Sequence, residues 1–281
     1  MQKNNKALYY AKNITDIFYN LKTVPHLQIF AGCTQCGRTA DGKKCNLPDS
    51  SLIVRAIPEL KKITKTEYLL ILGGAVTLNS ILALGKKHVP ETLYSAIEQT
   101  ATSSIRNIAT IGGNICSRNC RTSLYSVLIA LDAELEFKSA RETKTILFPL
   151  FKGVPDGFIL TEIRIPLGDW NVGIYKRLGA KALLNEESAS FCFLADTTRN
   201  ILTDFHVVYS GKTFLRSREL ENSLIGSHLP LTQHSIDSII LDYIHLFEEL
   251  FPVNDKQSNQ IVAFRKWQFT NLLHYSFDNL I

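Results

Sequence analysis

Four runs in the second half of the chain alternate apolar and polar residues in close succession: GFILTEIRIP (157–166), VGIYKRL (172–178), SASFCFLAD (188–196) and ILTDFHVVYSG (201–211). A period of two marks half-buried strands, and this spacing predicts an antiparallel meander. After Ser217 the apolar spacing changes to three and four, in RELENSLIG, SIDSIILDYIHLFEEL and QIVAFRKWQFTNLL, which predicts helices. Strands followed by helices cannot build a doubly wound parallel sheet, which needs the two in alternation, so the pattern predicts an α+β fold.

The first half is more broken. Apolar residues at Leu8, Ala11, Ile14, Ile17, Phe18 and Leu21 predict one amphipathic helix over 6–21, and HLQIFAG (26–32) a short strand ending in glycine. Short strands follow in SLIVRAI, KKITKTEY and LLILGG, with a turn at Pro58. Thr77 is placed to cap a helix over LNSILALG that Gly85 would end, and a second helix is expected over 91–99. IRNIAT (105–110) alternates like a strand, SLYSVLIALD (123–132) reads as a buried helix, and 133–150 as a hairpin. With 281 residues, 45% of them hydrophobic, the chain can support two cores. The natural boundary gives domains of 1–168, with subdomains of about 1–50 and 51–168, and 169–281.

Composition narrows the function. The longest apolar runs, LLIL (69–72) and the interrupted LYSVLIALDAEL (124–135), fall short of a membrane span, and the polar Met1 end lacks a secretory apolar region. A cytoplasmic, soluble protein is expected. The net charge of +5 is spread along the chain, with lysine pairs at 43–44, 61–62 and 86–87 but no basic block, so no nucleic-acid partner is expected. The seven histidines show no metal-hydrolase spacing.

Two stretches place glycine after an expected strand, IFAGCTQCG (29–37) and ATIGGN (109–114). Glycine lets backbone N–H groups approach a diphosphate that a side chain would block. Neither stretch has dinucleotide-fingerprint or Walker spacing, and a plain turn is the competing reading of each.

RNIATIGGNI (106–115), followed by a helix ending ALDAEL (130–135), resembles the second FAD-binding stretch of the flavoprotein subunits of molybdenum hydroxylases, the xanthine dehydrogenase and carbon monoxide dehydrogenase medium-subunit family. Further pieces occur in family order: AGCT (31–34), IPEL (57–60), ILGGAVT (71–77), EIRIP (162–166), YKRLG (175–179) and LRSRELENSLIG (215–226). The resemblance implies a vanillyl-alcohol-oxidase-type FAD-binding domain of two small α+β subdomains, then a C-terminal domain of three antiparallel strands and helices. It places the first diphosphate loop at Ile29, Phe30, Ala31, Gly32, Cys33, Thr34, Gln35 and Cys36. The second is Thr110, Ile111, Gly112, Gly113 and Asn114, with Ser123 beyond it, Leu160 packing on the flavin, and Lys176 approaching the ring.

The chain departs from the family where Gly32-Cys33-Thr34-Gln35 replaces GGTD and where Ser123 replaces an acid. The cysteines gather there: Cys33 and Cys36 in one loop, Cys116 and Cys120 beside the other, with Cys45 near and Cys192 in an expected core strand. Space-filling, a metal site and redox thiols are the readings left open for the loop cysteines. By resemblance the chain is the FAD subunit of a xanthine dehydrogenase-like complex. The resemblance implies molybdopterin on a large and [2Fe–2S] clusters on a small partner subunit, with NAD as the expected acceptor and oxygen or another acceptor as the alternative. The alternatives are an enzyme oxidising an aldehyde, nicotinate or carbon monoxide, or a flavin-poor scaffold subunit with a cysteine metal site.

Overall fold

The computed structural model describes residues 6–34, 47–117, 124–179, 188–252 and 256–280, with backbone alone for 256–259. The first elements are β1 (Ala7–Tyr10), α1 (Ile14–Thr23), β2 (Gln28–Phe30) and β3 (Ser50–Ile53). The expected 6–21 helix is therefore divided. Asn13, extended at φ −147°, accepts the Asp16 N–H at 2.8 Å and starts the helix there. Residues 7–10 instead pair in parallel with β3, a long-range contact that helical spacing cannot reveal. β3 is the centre of a β1-β3-β2 parallel sheet, so the first subunit of structure runs a little past residue 50. Ile14, Ile17, Phe18 and Leu21 line one face of α1 and pack with Leu52, Val54, Ile57 and Leu60.

A 3-10 turn at Glu59–Lys61 takes the place expected for a turn at Pro58 and leads into β4 (Ile63–Lys65) and β5 (Leu69–Gly73). Next come α2 (Leu78–Leu82), capped as expected by Thr77, and then α3 (Glu91–Glu98), α4 (Ser103–Arg106), α5 (Ile111–Ile115) and α6 (Tyr125–Ala130). IRNIAT is thus not a strand: Thr102 caps a helical turn there, and only Thr110 keeps a β-bridge, to Thr77. The glycines of ATIGGN also lie inside a helical turn, because the Thr110 hydroxyl accepts the Gly113 N–H and starts α5. β6 (Glu134–Lys138) and β7 (Thr143–Leu147) form the expected hairpin, and β8 (Ile159–Pro166) completes a five-stranded antiparallel sheet ordered β4-β5-β8-β6-β7. The alternation at 157–166 therefore belongs to this sheet and not to the meander after it.

The meander is β9 (Val172–Leu178), β10 (Ala189–Thr198) and β11 (Ile201–Ser210), with the two-residue β12 (Phe214–Leu215) added at its edge. α7 (Arg218–Leu224), α8 (Gln233–Leu250) and α9 (Lys256–Asp278) follow. Phe191, Phe193, Phe205, Val207 and Tyr209 on one sheet face pack with Tyr243, Phe247, Phe269 and Phe277 of the helices. The opposite face receives α6, which contacts β10 and β11.

The chain divides into two compact units. One holds Met1–Pro90, Thr100–Arg118 and Leu131–Leu167; the other holds Glu91–Gln99, Asn119–Ala130 and Gly168–Ile281. α3 and α6 thus group with the meander, although the linear boundary set them with the first domain.

Candidate flavin-binding site

In the first unit, Gly32 of the first expected loop meets the chain just before the second loop, and Gly112 of the second meets Gly74. A Cβ at Gly32 would stand 2.1 Å from the Ile108 carbonyl oxygen and 3.2 Å from Ala109 Cα, so the first loop lies directly on the approach to the second. A Cβ at Gly112 would stand 2.4 Å from the Gly74 carbonyl oxygen, and the Gly112 N–H donates to that oxygen at 3.0 Å. Gly74 in turn leaves no room for a Cβ beside the Leu160 carbonyl, at 2.5 Å, and its N–H donates to Thr161 O. The segments around Gly32, Gly74, Gly112 and Leu160 are thereby joined backbone to backbone, with glycine required at one side of each of the three close contacts.

This pattern separates the roles of two adjacent glycines. Gly112 is buried and packs on protein, whereas Gly113 is exposed, and among the described residues a Cβ there would meet only the Thr110 hydroxyl at 2.9 Å. Asn114 is half-buried beside it, while Thr110 and Ile111 are buried. In the first loop Ile29 and Phe30 belong to β2, Ala31, Gly32 and Thr34 are half-buried, and Cys33 is exposed. Gln35, Cys36 and Ser123 lie outside the described residues. Leu160 is buried in β8 opposite Phe137. Lys176 belongs to the other unit, exposed on β9 with its ammonium 5.9 Å from the centre of the Tyr275 ring. The part missed in the sequence is Gly73-Gly74: a second glycine pair after a strand was the available signal, and its use is to receive the first pair.

Cys33 stands at φ +53°, in the left-handed region that favours glycine. Cys33→Gly is therefore expected to raise stability by about 1 kcal/mol, read as a higher melting temperature, with the loop conformation kept. Burial pushes the Cys116 thiol up to about 12, which keeps it protonated at neutral pH. Cys192 is buried in β10. Cys36, Cys45 and Cys120 fall outside the described residues, and among the described residues no group of three or more His, Cys, Asp or Glu could hold a metal ion.

FAD carries a diphosphate that needs open backbone. The exposed Gly113, where among the described residues a Cβ would meet the Thr110 hydroxyl of its own helix cap alone, fits that need, and Cys33 of the first loop is exposed as well. The family model described as "FAD binding domain in molybdopterin dehydrogenase" matches residues 3–168. The chain belongs to this family. It is an FAD-binding oxidoreductase component of the molybdenum hydroxylases.

Relatives within the family agree. The glyceraldehyde dehydrogenase medium chain of Sulfolobus acidocaldarius is 26% identical over 193 residues, 65% of this chain and 68% of its own. The nicotinate dehydrogenase FAD-subunit of Eubacterium barkeri is 25% identical over 218 residues, 69% of each. Against some larger relatives the match spans only 10% of their length. A carbon monoxide dehydrogenase from Hydrogenophaga pseudoflava shares the fold, with a TM-score of 0.80 over 96% of both chains at 16% identity. Among the described residues no helix is long and apolar enough to cross a membrane.

Proposed function

We propose that this flavoprotein is the electron-transfer subunit of a xanthine dehydrogenase-like molybdenum hydroxylase. It takes electrons from [2Fe–2S] clusters on a small partner and passes them to NAD+, while a large partner carries molybdopterin and selects the substrate. The observation that carries this reading is the junction of the two glycine loops at Gly32–Ile108 within a stretch that the family model matches. A relative named as a medium chain and another named as an FAD-subunit support the division among subunits. Their names, one a glyceraldehyde and one a nicotinate enzyme, keep aldehyde and heterocycle oxidation open for the complex. A cytoplasmic location and domains of 1–168 and 169–281 belong to the same proposal.

Bound FAD supplies the ring that accepts and releases electron pairs. This chain's residues hold and tune it. Cys33, Thr34, Gly113 and Asn114, with Gln35, Cys36 and Ser123, bind the diphosphate and ribityl groups; the Gly112–Gly74 contact fixes the second loop, and Leu160 packs against the flavin. The Lys176 ammonium stabilises negative charge on the reduced ring. Titrating the purified full chain with FAD and recording its absorption, with iron and zinc analysis, tests the proposal. Stoichiometric flavin that NADH then bleaches is the expected result. A chain that stays colourless with excess FAD sinks the flavoprotein reading in favour of the scaffold, and bound flavin that NADH leaves oxidised removes NAD as the acceptor.

A further inference from the structure

The segment that carries the glycine junction is not held by the hydrophobic core. None of the residues of α4 is buried, residues 101–105 are all exposed, and Ile105 and Ile108 remain 36% and 39% exposed. Yet Ile108 and Ala109 are the surface on which Gly32 of the first loop rests, and Thr110 starts the turn of the second. Something other than apolar burial has to fix them.

A small polar network centred on Asn79 does this. The Asn79 amide, on α2, donates to Asn107 Oδ1 at 2.6 Å and to Ser103 Oγ at 3.3 Å, while its carbonyl oxygen accepts from Arg106 Nε at 3.4 Å. All three partners lie on α4 or its C-terminal cap. Arg106 extends the hold backwards, donating from Nη1 to Thr100 O at 3.0 Å and to Ala101 O at 2.7 Å, where Ala101 takes a left-handed φ of +53°. The backbone completes it: the Leu78 N–H donates to Ala109 O at 2.9 Å, and the Ile111 N–H to Val76 O at 3.0 Å.

We propose that Asn79, acting with Arg106, is a positioning residue for FAD: it ties α4 to α2 and so sets the platform on which both diphosphate loops are aligned. The inference rests on the proposed use of those loops for FAD. A polar latch suits the place, because hydrogen bonds fix direction while adding only modestly to global stability. Removing it frees residues 103–109 without opening the core, so cofactor affinity falls and the fold persists.

The test compares Asn79→Ala, Asn79→Asp and the parent full chain by FAD affinity, apo-protein melting temperature and amide exchange at 103–110. Asn79→Ala is expected to weaken FAD binding about tenfold and speed exchange in that segment, while the apo melting temperature moves by about 2 °C or less. Asn79→Asp keeps the acceptor for Arg106 and accepts from a turned Asn107 amide, so it is expected to restore affinity to within about threefold of the parent. Parent-like affinity in Asn79→Ala overturns the proposal, as does a loss of affinity matched by a large fall in apo stability. A parent chain that takes up no FAD removes the reading of the loops themselves, and that is seen before any variant is made.

Discussion

Gly112→Ala is expected to abolish FAD binding and to lower the stability of the first unit by about 3 kcal/mol, the upper end for forcing an extra carbon into packed surroundings. The added Cβ would lie 2.4 Å from the Gly74 carbonyl oxygen and 3.1 Å from both its carbon and Cα. All three atoms are backbone, so no rotamer relieves the contact. Moving the Gly74 backbone would break the Gly112 N–H to Gly74 O bond and strain Gly74 against Leu160, whose carbonyl already excludes a Cβ. The neighbouring Gly113→Ala meets a single hydroxyl and gains about 1 kcal/mol of helix propensity over glycine, so it is expected to keep the fold while weakening FAD binding. Thermal melts followed by circular dichroism, together with FAD titrations of both variants, check this. Equal effects at the two positions would show that Gly112 does not pack as described.

Glu221→Leu is expected to destabilise the second unit by about 3–4 kcal/mol, because it strands a buried cation. Glu221 is 1% exposed and accepts the Val207 N–H at 3.1 Å and Arg216 Nε at 3.0 Å, with Arg218 at 3.3 Å. Arg216 also donates from Nη1 to Ile129 O, and His206 Nδ1 donates to Ala130 O, so the last carbonyls of α6 are capped by side chains from the meander and the chain just beyond it. Burial pushes the Glu221 carboxyl above its usual range, outweighing the opposing Arg216 charge and the Arg216 and Val207 hydrogen bonds. A raised folded value means that the group's contribution is full below its unfolded pKa of about 4.5 and is lost as pH rises through the folded value. The ion pair is thus no net gain at neutral pH, and Glu221→Leu with Arg216→Met is expected to recover more than half of the single variant's loss. Urea melts of the single and double variants at neutral pH check this; a double variant no more stable than Glu221→Leu would show that the Arg216 contacts to α6 outweigh the removed charge.

The second half of the fold was legible because its elements are long and one-faced: period two from Val172 to Gly211, then helical spacing to the end. The eight-residue β8 was legible as a strand but not as a member of the first unit's sheet, and the misread conformations fell where elements are four or five residues long. Residues 7–10 and 103–110 carry too few side chains for periodicity to discriminate, and their conformations depend on a distant parallel strand in one case and on Asn79 in the other. At the site, the glycine stretches pointed to close backbone approach, but glycine makes room for protein and for ligand alike, and nothing along the chain says which.

The order and type of the long elements, the family, and the two loops that mark it were determined by sequence, because local periodicity and the order of short motifs are written residue by residue. That Gly112 faces Gly74 while Gly113 faces outward, that Cys33 takes a glycine's conformation, and that a surface asparagine holds the junction were decided only by tertiary structure. Each depends on which atoms come within a few ångströms of one another after segments about 25 to 85 residues apart have packed.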